Sequence, residues 1–351
     1  MTQALHWART NLFSSVWNSV LTILAIALLI KVLPGLIGWA FINAIWHGTA
    51  EACKLDGAGA CWVMVEAKYR VILFGLYPYD EQWRPLLAIL LLIAVMLVSA
   101  VPSNWKAWLG WVWAGGLVGA GVLMWGGVAG LPFVGDDKWG GLPLTMILAM
   151  AGIAFSFPLA VLLALGRRAH LPAIHAWCVA FIEIWRGLPL VNVLFMASIL
   201  FPLFLPEGFN IDKLLRAQIA IILFNAAYNA ESVRGGLQAI PRGQYEAADA
   251  LGLSYWQKMR MVILPQALRL VIPPLVGQFI TTFKDTSLVA IIGLYDLLNA
   301  THRLALSDPT WQAFYIEAYV FAALVYFIFT FSMSRYSQFL ERHFGIGLNR
   351  R

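Results

Sequence analysis

Long apolar stretches, each ended by a short polar or glycine-bearing segment, run the length of the chain. Whole windows are apolar, not one face at helical spacing, as lipid-facing helices require. Measured against about 20 residues per crossing, they predict eight membrane-spanning helices, near 16–40, 84–102, 107–129, 142–166, 176–205, 216–236, 271–294 and 313–335. The second is the shortest. The first follows Arg9 as the apolar part of a signal peptide would, but it runs too long and lacks a clear cleavage site, so a retained helix is expected.

Composition agrees with this pattern. Of 351 residues, 61% are hydrophobic and 12% charged, and the mean hydropathy of +0.75 lies far above that of a soluble domain. An all-α integral membrane protein is predicted, and a single water-soluble core is excluded. The net charge of +6 raises nucleic-acid binding, yet the basic residues are scattered between apolar segments with no continuous stripe and no aromatic-basic motif. No nucleic-acid partner is expected.

Those basic residues set the expected orientation. Arg9, Lys106, Arg167, Arg168, Arg234, Arg242, Lys258, Arg260, Arg269, Arg335, Arg342, Arg350 and Arg351 fall on one side, which is therefore taken as cytoplasmic, with both termini inside. Opposite loops carry Lys54, Lys68, Arg70, Arg84, Lys138, Lys213, Arg216 and Arg303, but also most of the acids. The longest outside loop, about 42–83, holds Cys53 and Cys61 around a glycine-bearing segment able to close a small ring. An oxidising outer compartment favours a disulfide there; two free thiols are the alternative. Cys178 falls inside and is expected to serve packing.

A polar island from Tyr245 to Pro265 interrupts the apolar pattern. Glu246, Ala247, Asp249 and Ala250 suit a helix, and the small Ala side chains leave a smooth face that another backbone can approach. Gly252 then breaks the run, and a second short helix is expected from about Ser254 to Ile263, ending at Pro265. Such an elbow, gripped by a partner, tilts the spans beside it. An ordinary connecting loop is the plainer reading, and Glu-Ala-Ala alone carries no signal; the complete spacing from Glu246-Ala247-Ala248 through Gly252 to Leu264-Pro265 does.

Charged residues at or within the spans form a second group. Glu183 and Arg186 before Gly187, and Glu231 and Arg234 before Gly235, stand three apart, where each acid is expected to meet its own guanidinium. They read as structural clasps at the inner boundary or as part of an inner gate. Lys284-Asp285-Thr286-Ser287 interrupts the apolar run 271–294. Adjacent Lys and Asp do not face each other on a helix, so a local break is expected, with the hydroxyls satisfying freed backbone groups. A lining for a translocation path and a purely structural break both fit.

Several chemistries are missing. No Gly-x-x-x-x-Gly-Lys-Ser/Thr phosphate loop occurs, so no nucleotide site of that kind is expected. The six histidines show no metal-ligand spacing with Cys or acids, and no Gly-x-Ser-x-Gly nucleophile appears. Trp105, Trp108, Trp111 and Trp113 at the start of the third span suit an interfacial aromatic belt, with an aromatic-lined ligand site as the alternative.

The island resembles the EAA signature of membrane subunits of bacterial ABC importers, departing only at Val262, where the family usually has Ile. The lead-in from Ala227 to Gln244, together with Gly140-Gly141-Leu142, Ala164 to Arg168, Glu183 to Leu190 and Lys284 to Leu288, resembles the polar amino-acid branch. Cys61-Trp62 and Gly75 to Pro85 look like the extended N-terminal region of general L-amino-acid permease subunits. The resemblance covers roughly Gly140 to Arg342. It implies a permease core over 141–351, containing the last five spans, and an extension over 1–140 with three spans and a periplasmic loop. It further implies a homologous permease partner, two cytoplasmic ATPase subunits that hold ATP and magnesium, and a periplasmic amino-acid-binding protein, all at the bacterial inner membrane. This chain itself is expected to bind no cofactor and to be no enzyme. An ion-coupled secondary transporter is the rival reading, though it needs no docking elbow and no inverted repeat is visible.

Overall fold

The computed structural model describes residues 2–206, 208 and 211–345; Arg350 and Arg351, counted above among the inside basic residues, lie outside the described residues. The helices run α1 Thr2–Asn11, α2 Val16–Ile37, α3 Val63–Phe74, α4 Trp83–Ser99, α5 Trp108–Trp125, α6 Gly141–Gly166, α7 Pro172–Gly187, α8 Leu190–Phe195, α9 Lys213–Ala239, α10 Arg242–Ala250, α11 Tyr255–Lys258, α12 Leu264–Asp285, α13 Leu297–Asn299 and α14 Tyr315–His343. Among the described residues six helical runs are long and apolar enough to cross a membrane, and α7 with α8 and its continuation to Phe204 makes a seventh, bent by 102°. Adding α9, 27 residues long but more polar, accounts for all eight expected spans.

Three expectations are corrected. The stretch 176–205 is not one straight span: Pro189 follows the end of α7 and cannot continue its hydrogen bonding, so the chain turns there. The outside loop 42–83 contains α3. The short helix after Gly252 does not end at Pro265. A widened π turn, Met259–Ile263, links α11 to α12, and helix continues from Tyr255 to Ile292. That wider turn makes room for a ring that would otherwise crowd the carbonyl four residues earlier.

The chain forms two compact units. The first comprises the residues up to Tyr69 with Asp308–Ala318; the second comprises Arg70–Ser307 and Tyr319–Arg351. Compactness thus divides the chain at residue 69, whereas the sequence pattern divides it at 140, because α4 lies against both α5 and α6. Within the first unit Cys53 and Cys61 are joined by a disulfide across Cα atoms 5.5 Å apart. Cys61 N–H donates to the buried Glu317 carboxylate at 2.8 Å, and Lys68 pairs with Asp308 at 2.8 Å. That lysine holds the Asp308 carboxyl below the usual carboxylate range.

In the second unit α9 is the central helix. Asp212 caps its start, accepting from Leu214 N–H at 2.8 Å and Leu215 N–H at 3.2 Å. Its small residues Ala217, Ala220, Ala226, Ala227 and Ala230 are buried and let α6, α7 and α12 come close. Gly140 and Gly141 make a second close approach. A Cβ on Gly140 would lie 2.9 Å from the Gly75 backbone, and one on Gly141, where φ is +65°, would lie 2.1 Å from the Leu73 carbonyl. Only glycine admits this crossing.

Candidate functional site: a coupling elbow and an ion-paired inner boundary

The elbow is built from a helix stop, a turn and a helix start. Gly252 adopts φ +70°, its N–H donates to Asp249 O at 2.9 Å, and Leu253 N–H reaches back to Ala248 O at 3.2 Å. This pair of bonds closes the end of α10 in a Schellman turn. Beyond it the Gln257 side chain accepts from Ser254 N–H at 2.9 Å, starting α11. Lys258 pairs with Asp249 across the bend, and Gln266 donates to Gln244 at 3.0 Å.

The inner side of the elbow is bonded to the bundle. Ala248 is buried, and Met259, Ile263 and Ala267 join Ala164, Leu165, Val233, Leu237 and Ile240 in one apolar cluster, with Val262 and Leu264 packed on it. Arg168, from the end of α6, donates to Leu237 O at 3.1 Å and to the Tyr245 hydroxyl at 3.0 Å. Elbow movement therefore bears directly on α6, α9 and α12. Its outer side is different: Glu246, Ala247 and Pro265 are exposed, as are Leu251 at 78% and Trp256 at 64%. The elbow thus presents large apolar side chains outward beside polar ones.

Nearby, the four charged residues expected to form two clasps form one network instead. Glu231 meets Arg234 as expected, but also Arg167 at 3.3 Å and Arg186 at 3.9 Å, while Glu183 pairs with Arg167 at 3.0 Å. Glu183–Arg186 is thus not a pair. Arg167, at the end of α6, is better placed for Glu183 and links α6, α7 and α9. Spacing along one helix cannot reveal a partner on another.

Lys284, Asp285, Thr286 and Ser287 lie apart from that network in the sequence, and their helix does break. After Asp285 the chain tightens into a 3₁₀ segment, Thr286–Ile292, ending at Gly293. Thr286 is buried and donates to Phe283 O at 2.8 Å; no such bond is found for Ser287 among the described residues. Lys284 is exposed and Asp285 half-buried. One face of α9 carries further polar groups. Asn225 accepts from Thr282 at 2.7 Å and Gln278 at 3.2 Å, and Asn229 donates to Ser156 at 3.3 Å. Amides inside an apolar run were the available signal for these residues.

Arg84 is the residue least visible beforehand. Read as an outside-loop charge, it is fully buried. It donates to the carbonyls of Leu123 at 2.7 Å, Pro132 at 2.8 Å and Met124 at 3.4 Å, and lies 3.6 Å from Glu81. The Tyr77 hydroxyl donates to Met124 O at 2.9 Å, and burial pushes that phenol up to about 12. Together they cap the end of α5. The four tryptophans divide: Trp105 and Trp113 bond to Ser99, while Trp108 and Trp111 are exposed as interfacial side chains would be.

A multi-span helical bundle with an exposed elbow between its spans is the architecture of a membrane permease subunit. The family described as binding-protein-dependent transport system inner membrane component matches residues 156–345, and the chain belongs to it. The inner membrane amino-acid ABC transporter permease protein YhdY of Escherichia coli is 50% identical over 98% of this chain and 94% of its own length. The glutamate/glutamine/aspartate/asparagine transport system permease protein BztC of Rhodobacter capsulatus is 37% identical over 97% of this chain and 93% of its own. Among solved structures, an amino acid ABC transporter with histidines is similar at 30% identity and TM-score 0.52, covering 58% of this chain and 92% of that one. The protein is a multi-pass inner-membrane permease subunit of an ABC importer, and such a subunit works with a separate ATPase and a substrate-binding protein. The ion-coupled alternative loses its support.

Proposed function

We propose that this chain is one of two homologous membrane subunits of an importer for polar amino acids, with both termini cytoplasmic and two ATPase subunits docked on the paired elbows. The observation that carries this reading is the elbow itself, apolar outside and bonded inside to α6, α9 and α12. Relatives named as amino-acid permeases supply the cargo class. In this reading ATP and magnesium belong to the ATPases. Their closure pushes Leu251 and Trp256, and the bundle alternates between outward and inward openings. A periplasmic amino-acid-binding protein delivers cargo, and the network at Glu231 forms part of the inner gate.

Gly252→Trp tests the docking. A Cβ at this position meets nothing within 4 Å, so the fold loses only the cost of a left-handed non-glycine residue, about 1–2 kcal/mol. Membrane insertion should persist while uptake falls about tenfold or more, equivalent to a barrier change of about 1.4 kcal/mol, and ATP hydrolysis ceases to respond to cargo. Normal uptake would count heavily against the elbow. The same assay tests the path. Lys284→Ala and Asp285→Asn should each depress uptake and cargo-stimulated ATP hydrolysis; if both activities stay unchanged in both variants, Thr286 marks a structural break and nothing more.

A further inference from the structure

The run Val16–Ile42 is 27 residues long and carries a single charge, Lys31. No residue of α2 is buried, and Lys31 has no hydrogen bond or ion pair among the described residues. Its depth makes this unusual. At 1.5 Å per residue the run is about 40 Å long, with Lys31 about 22 Å from Val16 and about 16 Å from Ile42. The hydrocarbon layer is about 30 Å thick, so with the surplus shared between the ends, or taken up by tilt, the lysine lies more than about 10 Å from either boundary. Side chains on a helix lean toward its N-terminus. The stem therefore leans away from the nearer boundary, and an extended lysine, about 6 Å long, reaches neither by snorkelling.

A cation held at that depth calls for a carboxylate beside it. We infer that α2 packs, in the assembled importer, against a membrane-spanning helix of the homologous partner subunit that presents an Asp or Glu to Lys31. This rests on the proposed pairing with a second membrane subunit. The α2 of a second copy cannot supply the acid, because pairing α2 with α2 about a two-fold axis sets lysine toward lysine and the run holds no acid. A lipid phosphate lies at the boundary, out of reach. The all-round apolar surface of α2 suits contact with another span, and Lys31 gives that contact a register, as a single polar group does between helices.

The complex, purified through a tag on this chain, is treated with dicyclohexylcarbodiimide, an apolar reagent that activates carboxyl groups inside membranes. Within the pair Lys31 passes a proton to the carboxylate, and the acid adds to the carbodiimide. The neutral amine then attacks the activated carboxyl carbon, forming an amide while the displaced N–H proton leaves with dicyclohexylurea. Mass spectrometry should find the Lys31 peptide joined to an Asp or Glu in a span of the partner subunit. Lys31→Arg should lose this product yet recover the partner fully, and Lys31→Leu should lose both the product and much of the partner. A complex containing the partner but no Lys31 product overturns this inference alone. A product within this chain, or between two copies of it, overturns it equally. A complex without any second membrane subunit overturns the assembly reading instead. Should Lys31→Leu fail to insert, the wild-type and Lys31→Arg results decide.

Discussion

Glu231→Gln should abolish ATP-driven uptake and destabilise the subunit by about 2 kcal/mol. Three guanidiniums converge on this one carboxylate, from α6, α7 and α9 itself. Removing one partner of a fully buried ion pair costs about 3–5 kcal/mol; Glu231 is 24% exposed, so solvent screens part of that loss. What remains is three like charges held together by the fold. Glu183 offers the comparison. Its side chain is 54% exposed and, among the described residues, forms its ion pair with Arg167, so Glu183→Gln should cost at most about 1 kcal/mol. Thermal unfolding in detergent and uptake by the reconstituted importer would measure both. Equal effects at the two positions would mean that Glu231 is not the hub.

A larger loss of stability is expected at Arg84. Arg84→Leu keeps much of the volume but removes a donor from the carbonyls of Leu123, Met124 and Pro132; the Tyr77 hydroxyl still reaches Met124 and, at 3.3 Å, Leu123, so Pro132 loses most. A buried acceptor left unpaired costs about 1–3 kcal/mol, and with Pro132 orphaned and the bonding of Leu123 weakened the expected loss is about 2–4 kcal/mol. Arg84→Lys should be nearly as damaging, since an ammonium lacks the planar fork that serves carbonyls on both sides. The expected readout is a lower unfolding temperature and faster proteolysis in the segment after α5, between Trp125 and α6. An Arg84→Leu protein as stable as the parent would remove the cap on α5 from this account.

The spans were legible because lipid demands the same thing of every residue in a window. So was the elbow, since a glycine at φ +70° and the polar residues around it are local features. Partnerships between helices were not legible. Glu183 and Arg186 satisfy the rule for a pair on one helix, yet Arg167 comes from α6 and takes the acid. Arg84 looks like any loop charge until the end of α5 closes over it. Pro265 misled for a related reason. A proline predicts a stop when the turn before it is an ordinary α turn, and the π turn at Met259–Ile263 removes that premise. Cys53 and Cys61, eight residues apart, needed no long-range knowledge at all.

That π turn has a mechanical consequence. Because helix runs on from Tyr255 to Ile292, the docking tip and the Lys284–Asp285 break sit at opposite ends of one rod, roughly 45 Å apart at 1.5 Å per residue. Rotating such a rod by about 5° about one end carries the other about 4 Å. Displacement at Trp256 and displacement at Asp285 are then two readings of a single coordinate, with no relay of side chains between them. Under the proposed coupling, the stiffness of this rod, which carries the π turn at Met259–Ile263 and Pro273 and Pro274 within α12, would set how much of each ATP-driven stroke reaches the middle of the membrane.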